Sequence, residues 1–180
     1  MPRVEGQRLF FALWPDDELR LRLAELLESG EFRNAAGRAV AVENLHITLR
    51  YLGVISPAQQ ACAERVAAAI RAEGFSITLN RVGYWAGPRV AWLGAGEIPA
   101  PLQKLVAELE SGLQGCGLPP ETRPYRPHLT ILRRARSDGL PRHIEPLPWQ
   151  VEGFVLVRSV TVQGGVRYEV VRRWELGAAS

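Results

Sequence analysis

The pattern His-x-Thr-x, with an apolar residue at each x, occurs twice in this chain of 180 residues. The first copy is residues 46–49 and the second is residues 128–131, 82 positions further along. In a β-strand, residues i and i+2 point to the same face, so each histidine shares a face with the threonine that follows it. The apolar residues point the other way, toward a core. The pattern therefore predicts two strands that each present one imidazole and one hydroxyl group on the same side.

The remaining sequence mixes strands and helices without a regular βαβ alternation. Strands are predicted over eight stretches, which are residues 7–14, 44–52, 75–79, 82–85, 89–93, 125–132, 150–162 and 166–174. Helices are predicted to begin near residues 16, 57 and 100, where a proline or a capping residue precedes helically spaced apolar side chains. Residues 137–149 contain three prolines and are predicted to form a loop. The frequent hairpins favour an α+β fold with antiparallel sheets over a doubly wound parallel sheet.

The sequence contains no recognisable metal, nucleotide-cofactor or membrane signal. Cys62 and Cys116 lack metal-ligand spacing and are too few for a disulfide framework, so they are expected to be two separate thiols. There is no glycine-rich phosphate loop, and no apolar run approaches the ~20 residues that span a bilayer. We therefore expect a cytoplasmic protein that has no metal site, does not associate with membranes and, since nothing requires an oligomer, is a monomer.

Arginine dominates the positive charge, and much of it surrounds the second motif. The formal net charge is +3, and all but one of the 22 basic residues are arginine. Six arginines lie close to His128 in the sequence, namely Arg123, Arg126, Arg133, Arg134, Arg136 and Arg142. Because the planar guanidinium group binds phosphate oxygens in pairs, this cluster favours a phosphate-bearing partner.

Two imidazoles and two hydroxyls around one small space suit the hydrolysis of a phosphodiester without a metal. A neutral histidine can take a proton from the attacking group while a protonated histidine gives one to the leaving oxygen, since imidazole titrates near ~6.5. Threonine hydroxyls can bind the phosphate oxygens. The third histidine, His143, lies in the proline-bearing stretch and is expected to be structural or exposed. The alternative is that the two motifs are unrelated strands, because a single His-x-Thr string is common.

The paired motifs resemble those of the two-histidine (2H) phosphoesterases. Within that superfamily, the chain is similar to the RNA 2′,3′-cyclic phosphodiesterases, also called 2′-5′ RNA ligases. The similarity spans nearly the whole chain, since it includes residues 8–13, 44–53, 90–94, 123–130 and 168–176.

The resemblance implies one domain with a bilobal fold, residues 1–180, in which two lobes related by a pseudo-twofold surround a central cleft with helices on the outside. Each lobe supplies one motif. The implied reaction opens a 2′,3′-cyclic phosphate on RNA ends or nucleotides to a 2′-phosphate without a cofactor, and the reverse 2′-5′ joining reaction is implied as well. His46 is then the general acid, His128 the base that activates water, and Thr48 and Thr130 hold the phosphate.

The resemblance also points to Arg133 as a phosphate-binding residue, but strand parity disagrees. Arg133 follows His128 by five residues and faces away in a regular strand, whereas Arg50 follows His46 by four and faces in. Either a strand end or bulge re-aims Arg133, or Arg50 performs this role. Tyr51, Phe11 and Trp85 are candidates to stack on a base, although aromatic residues on strands more often belong to the core.

Two other functions remain open at this point. The basic cleft could bind RNA ends without catalysis. The same two histidines could instead hydrolyse another cyclic or 2′-5′ phosphodiester.

Overall fold

Residues 6–178, which are the part of the chain that this computed structural model describes, contain nine strands, three α-helices and two 3₁₀ turns. The strands are β1 (Gln7–Leu13), β2 (Arg38–Ala39), β3 (Ile47–Ile55), β4 (Phe75–Trp85), β5 (Val90–Gly94), β6 (Leu129–Arg133), β7 (His143–Val151), β8 (Gly153–Val162) and β9 (Gly165–Glu175). The helices are α1 (Asp17–Glu28), α2 (Pro57–Ala69) and α3 (Ala100–Gln114). The 3₁₀ turns are Gly30–Phe32 and Val42–Asn44.

The strands form one sheet in the order β7-β4-β5-β6-β3-β1-β8-β9, with β2 beside the end of β6. Every pair of neighbouring strands is antiparallel. In the middle of the sheet, β3 and β6 are paired only at Ile47 and Leu129. The prediction of an α+β fold built on antiparallel pairing is therefore confirmed.

The helix starts follow the capping signals in the sequence. The Asp16 side chain accepts a hydrogen bond from the Leu19 amide at 2.8 Å and begins α1. Ser56 begins α2 with a reciprocal capping box to Gln59, and Pro57 occupies the first turn. These caps satisfy amide groups that have no partner inside the helix.

The apolar residues of both motifs lie in the core. Ile47, Leu129 and Ile131 are fully buried, and Leu49 is almost so. Burying a side chain of this kind stabilises the fold by about 1.5–3 kcal/mol. The apolar half of each motif thus fixes the strand, and the polar half is left on the opposite face.

The prediction of a loop over residues 137–149 is wrong, because residues from His143 onward belong to β7. Pro146 and Pro148 lie within this strand. Proline is tolerated there because β7 is the edge strand of the sheet and pairs only with β4. The predicted single strand over residues 150–162 is divided, since β7 ends at Val151 and β8 runs from Gly153 to Val162.

The expectation of two separate thiols is wrong as well. Cys62 in α2 and Cys116, just beyond the end of α3, form a disulfide with a Cα–Cα distance of 5.7 Å. Disulfides persist mainly in oxidising compartments and, inside cells, in hyperthermophiles. The cytoplasmic location stays a prediction, and it has to be compatible with this disulfide. Within residues 6–178, no helix has the length and apolar character needed to cross a bilayer.

Removing the disulfide should lower the stability of the fold. The bridge closes 54 residues, and a loop of that length corresponds to about 4 kcal/mol in the chain-entropy treatment, with measured effects of about 2–4 kcal/mol. We expect the Cys62→Ser/Cys116→Ser variant to lose this free energy of unfolding in urea titrations. Wild-type protein in excess dithiothreitol is the matched control and should give the same value. Equal stability of oxidised wild type and variant would contradict the prediction.

Candidate active site

The two His-x-Thr motifs meet at the centre of the sheet. Ile47, at the start of β3, pairs with Leu129, at the start of β6, and the two strands are antiparallel. Continuing this register places each histidine beside the threonine of the other motif. A local twofold axis passes through the Ile47–Leu129 pair, so the sheet brings together two imidazoles and two hydroxyl groups that are far apart in sequence.

His46 is fixed by hydrogen bonds at both ring nitrogens. Its Nδ1 lies 2.7 Å from the Asn44 carbonyl oxygen, and its Nε2 lies 3.1 Å from Thr48 Oγ1. A carbonyl oxygen can only accept, so Nδ1 carries the hydrogen. In the neutral ring Nε2 is then the acceptor, and the Thr48 hydroxyl donates to it.

His128 has the same orientation in the second motif. Its Nδ1 lies 2.9 Å from the carbonyl oxygen of Arg126, also two residues upstream, and donates its hydrogen to it. Its Nε2 has no hydrogen-bond partner among the described residues. The two motifs therefore repeat one local geometry at Nδ1, which the backbone holds, whereas Nε2 contacts Thr48 in the first motif and has no partner among the described residues in the second.

Aromatic rings surround His46 on three sides. The ring centroid of Phe10 lies 4.8 Å away, that of Trp14 5.9 Å and that of Tyr168 5.2 Å. Trp14 is stacked on the imidazole and Tyr168 meets it edge-on. This packing confines the ring to one orientation and leaves it half-buried.

Arg20 of α1 supports the segment that leads into His46. Its Nη1 donates to the carbonyl oxygens of Val42 at 2.5 Å and Leu45 at 3.1 Å. Its guanidinium carbon lies 4.8 Å from the centre of the Trp14 ring. Arg20 thus holds both the backbone before His46 and the indole that stacks on His46.

Asn44 joins the same segment to the β8–β9 hairpin. Its side-chain amide donates to the Val166 carbonyl at 3.0 Å, and its side-chain oxygen lies 3.4 Å from the Tyr168 amide nitrogen. Its own carbonyl accepts the Nδ1 hydrogen of His46. One asparagine therefore orients the imidazole and also fixes the strand whose tyrosine packs against it.

His128 rests on two tryptophans. The ring centroid of Trp85 lies 4.4 Å away and that of Trp92 lies 6.4 Å away. The Trp92 indole lies over Gly83 and leaves no room there for a side chain, since an added Cβ would come within 2.0 Å of the ring. Glycine at this position is what allows the tryptophan to lie flat beneath the site.

The pKa values of both histidines are lowered. Burial lowers the pKa of His46 to about 4, and the positive charges of Arg133, Arg20 and His128 act in the same direction, against the opposing effect of the Asn44 carbonyl. Burial also lowers the pKa of His128, with a further contribution from Arg133. Both rings are therefore neutral at pH 7 in the ligand-free protein, and Arg133 is close to both.

A bulge in β6 explains where Arg133 points. Thr130 pairs with Trp92 of β5, but the next paired residues are Leu132 and Ala91, so Ile131 has no cross-strand partner of its own on β5. Neighbours on β5 point to opposite faces, and paired residues share a face. Thr130 and Leu132 are therefore on opposite faces, which is the reverse of regular parity.

The consequence is that Arg133 returns to the face of Thr130. Sequence parity left a bulge before Arg133 or a role for Arg50 as the two possibilities, and the bulge is present. Its guanidinium charge acts on the pKa values of both histidines, as expected of a group on their side of the sheet.

A matching bulge in β3 turns Arg50 away. Thr48 pairs with Ala12 and Arg50 with Phe11, so Leu49 is left over and Thr48 and Arg50 lie on opposite faces. The expectation from strand parity that Arg50 shares the face of Thr48 is wrong, although Arg50 still lines the cleft beside Thr48, together with Glu110.

Arg50 is instead held by α3 and the loop that follows it. Its Nε lies 2.5 Å from Glu110 Oε2, and its Nη2 donates to the Pro119 carbonyl. Glu110 also accepts from the Glu121 amide at 2.8 Å. Arg50 thus ties β3 to helix α3 and to the segment that leads to the second motif.

A cleft of about 860 Å³ opens beside His128 and Thr48, between β3, α3 and the segment before the second motif. Its wall combines Tyr51 and Trp85 with apolar residues of α3, and Arg123 and Arg126 stand at its edge. The Tyr51 side chain is 51% exposed. Space, aromatic surface and positive charge are therefore available next to His128 and Thr48.

The three aromatic residues that were candidates to stack on a base lie in different surroundings. Tyr51 and Trp85 line the cleft, whereas Phe11 is fully buried and packs on Phe154 and Trp174. Phe11 therefore belongs to the core and is excluded as a stacking residue.

The arginines near the second motif differ in what they contact. Arg123 is paired with Glu121, and Arg136 is paired with Asp138. Arg133 has no acidic partner within salt-bridge distance among residues 6–178. Only some of the six arginines near His128 are thus available to an external anion. Arg133 is the one among them whose charge acts on both histidines.

Tyr125 links the second motif to the first. Its hydroxyl group donates to the Thr48 carbonyl at 3.0 Å, and burial raises its pKa, so the phenol stays protonated. No group of three His, Cys, Asp or Glu side chains within the described residues is arranged to hold a metal ion.

Sequence reasoning missed the residues that support His46, namely Arg20, Asn44, Trp14 and Tyr168. The sequence does show an aromatic residue at position 14 and an asparagine two residues before the histidine. Their roles depend on contacts with segments up to 124 residues away, which no local pattern reveals.

The antiparallel sheet joins two His-x-Thr strands into one polar site. This arrangement is that of a phosphoesterase-like protein, and comparison with known sequences identifies the family. The sequence profile of the 2′-5′ RNA ligase superfamily matches residues 15–163, and the chain belongs to this family.

Relatives with assigned names cover almost the whole chain. An RNA 2′,3′-cyclic phosphodiesterase of Escherichia coli K12 is 36% identical over 96% of this chain and 98% of its own length. An RNA 2′,3′-cyclic phosphodiesterase of Aeropyrum pernix is 32% identical over 88% of this chain and 96% of its own.

Solved structures agree with the fold. Escherichia coli LigT complexed with 3′-AMP matches with a TM-score of 0.88 and 36% identity, covering 96% of this chain and 99% of LigT. TT0787 of Thermus thermophilus matches with a TM-score of 0.79 and 27% identity over 96% of this chain and all of that one.

Replacing Arg20 should change the proton affinity of His46. Because the guanidinium charge lowers the pKa of His46, we expect that pKa to rise in Arg20→Gln and to stay low in Arg20→Lys, which keeps the charge. The measurement is a pH titration of the His46 ring protons by NMR.

The control is Arg22→Gln, which removes the same charge from the same helix at a residue without a hydrogen bond or ion pair in the described structure. An unchanged His46 pKa in Arg20→Gln would show that the charge of Arg20 does not act on the imidazole.

Proposed function

We propose that this chain hydrolyses the terminal 2′,3′-cyclic phosphate of RNA to a 2′-phosphomonoester, with His46 and His128 as the acid–base pair. The observation that carries the proposal is the pairing of Ile47 with Leu129, which sets both motifs side by side with Nδ1 of each ring held by the backbone. The names of the relatives from Escherichia coli and Aeropyrum pernix support the choice of substrate.

His128 acts as the base in this mechanism. Its Nε2 is unprotonated in the neutral ring and has no partner among the described residues. It takes a proton from water as the water oxygen attacks phosphorus. The lowered pKa keeps the ring in the unprotonated form that this step needs at neutral pH.

His46 acts as the acid, and this role needs a second proton on its ring. The bond between phosphorus and O3′ breaks, and the proton on Nε2 goes to O3′, leaving a 3′-hydroxyl and a 2′-phosphate. With a pKa of about 4, the imidazole is neutral in the free protein. A bound phosphate anion supplies the negative charge that favours the protonated ring and opposes the nearby arginines.

Thr48, Thr130 and Arg133 bind the phosphate. The Thr48 hydroxyl is already 3.1 Å from His46 Nε2. Register places Thr130 beside His46, and the β6 bulge aims Arg133 at the same face. Hydroxyl donors and a guanidinium group stabilise the extra charge on the phosphate oxygens as water adds.

The nucleoside occupies the cleft beside His128. Tyr51 and Trp85 offer aromatic faces to a base, and such stacking contributes about 1–3 kcal/mol per base. RNA ends and nucleotides with a 2′,3′-cyclic phosphate are therefore the partners. The same site would also catalyse 2′-5′ joining, in which the 5′-hydroxyl of a second RNA strand takes the place of water. His128 accepts the hydroxyl proton as that oxygen attacks phosphorus, and the bond to O3′ breaks as His46 protonates O3′.

The same proposal treats the chain as a single domain of two lobes. The β1, β3, β8 and β9 strands form one lobe and β4 to β7 the other, each supplying one motif to the central cleft. The sparse pairing of β3 with β6 supports this division. The site is built from one chain, so the proposal needs only a monomer.

Replacing either motif histidine should remove most of the activity. We expect His46→Gln and His128→Gln each to reduce kcat by about 10²–10⁴-fold, since each removes one proton-transfer group. The assay is hydrolysis of adenosine 2′,3′-cyclic phosphate in the presence of EDTA, with separation of 2′- and 3′-phosphate products.

The matched control is His143→Gln, at the exposed start of β7, which should keep wild-type activity. Full activity in either motif variant would refute the mechanism. Failure of the wild type to turn over the substrate would favour a protein that only binds RNA ends, and turnover of other phosphodiesters alone would change the substrate class.

Replacing Arg133 and Arg50 one at a time should show which of them acts in catalysis and which stabilises the fold. Arg133→Gln should lower kcat/KM by about 10²–10³-fold, the usual effect of removing one oxyanion donor. Arg50→Gln breaks the pair with Glu110, whose side chains are 12% and 23% exposed, and should cost about 1–3 kcal/mol of unfolding free energy. The measurements are steady-state kinetics and urea unfolding of both variants, and a larger catalytic loss in Arg50→Gln would contradict the assignment.

A further inference from the structure

Two arginines are direct cross-strand neighbours at the end of the site. Arg38 of β2 pairs with Arg133 at the end of β6, next to the pair formed by Ala39 and Leu132. Residues directly opposite in an antiparallel pair lie on the same face with Cβ atoms about 4.5–5.5 Å apart. Arg38 therefore shares the face onto which the β6 bulge turns Arg133.

This arrangement is electrostatically unfavourable without an anion. Like charges directly opposite on a sheet are destabilising. Neither arginine has a carboxylate within 4 Å among the described residues, where all the ion pairs involve other groups. The one hydrogen bond of the Arg38 side chain goes from Nη2 to the Gly164 carbonyl, in the turn between β8 and β9.

The two guanidinium groups differ in their contacts and in their effect on the histidines. The charge of Arg133 contributes to the lowered pKa of both His46 and His128, whereas that of Arg38 contributes to neither. The contact with Gly164 holds the Arg38 group at the hairpin turn. Arg38 is therefore one step further out than Arg133 along the same face.

We propose that Arg38 binds a second phosphate of the RNA strand, the internucleotide phosphate next to the one that reacts, while Arg133 binds the reacting phosphate. This inference rests on the proposed function. An arginine side chain has five N–H donors in a rigid fork, and the bond to Gly164 leaves most of them for phosphate oxygens. Arg38 is then a specificity residue that favours an RNA end over a free mononucleotide.

The proposal predicts a dependence on substrate length that Arg38 controls. The substrates are adenosine 2′,3′-cyclic phosphate, which has one phosphate, and the dinucleotide ApA ending in a 2′,3′-cyclic phosphate, which has two. We expect wild type to prefer the dinucleotide, and Arg38→Gln to lower kcat/KM for the dinucleotide by about 10-fold, the lower end for a charged hydrogen bond to phosphate. Mononucleotide kcat/KM should stay within a factor of about two, because the variant leaves the reacting phosphate untouched.

Salt dependence gives a second readout. Each phosphate contact on a single strand contributes about −0.7 to the slope of log affinity against log salt. The slope of log(kcat/KM) for the dinucleotide should become less negative by about this amount in Arg38→Gln. Arg142→Gln, which removes the same charge from an exposed position just before β7, is the control and should leave both the slope and the length preference unchanged.

The outcomes separate this inference from the proposed function. Turnover of the mononucleotide by wild type tests the reaction itself. Equal losses on both substrates in Arg38→Gln would place Arg38 at the reacting phosphate, and no loss on either would show that it binds no phosphate. Either result overturns the second site while leaving the reaction intact.

Discussion

The contact between Ile47 and Leu129 is the interaction on which the site depends. It is the sole point where β3 and β6 pair, and it lies between two strands whose motifs are 82 residues apart in the chain. Because the pairing is antiparallel and centred on the apolar residue of each motif, it sets the histidine of one beside the threonine of the other. A shift of one residue in this register would turn the polar groups of one strand into the core.

Burial and charge act together on His46. Phe10, Trp14 and Tyr168 limit the contact of the ring with water, which stabilises its neutral form, and Arg20 and Arg133 add positive charge. In the proposed mechanism, a histidine in this state is a poor acid until a phosphate anion arrives. The same surroundings that suppress its charge in the free protein make it responsive to bound phosphate, because an electrostatic interaction is stronger in a site that excludes water.

Much of the architecture follows from local pattern. Alternation predicts the motif strands, and buried Ile47, Leu49, Leu129 and Ile131 confirm which residues face the core. Caps predict where α1 and α2 begin. The errors share a cause, since each depends on a distant partner. Pro146 and Pro148 suggest a loop until the strand is known to be at an edge, and the Cys62–Cys116 bridge requires the packing of α2 beside the end of α3.

The two bulges explain why strand parity, read from the sequence alone, could not decide which arginine faces the histidines. Leu49 and Ile131 occupy the same position in their motifs, three residues after the histidine, and each bulge reverses the alternation of the residues beyond it. In β3 the reversal sends Arg50 to Glu110 on α3, and in β6 it sends Arg133 to the histidines. Two motifs with one local geometry thus acquire unlike surroundings from the residues that come after the bulge. The local symmetry of the two motifs provides the paired histidines, and the break in that symmetry beyond the bulges provides a single cationic side on which a phosphate could be oriented.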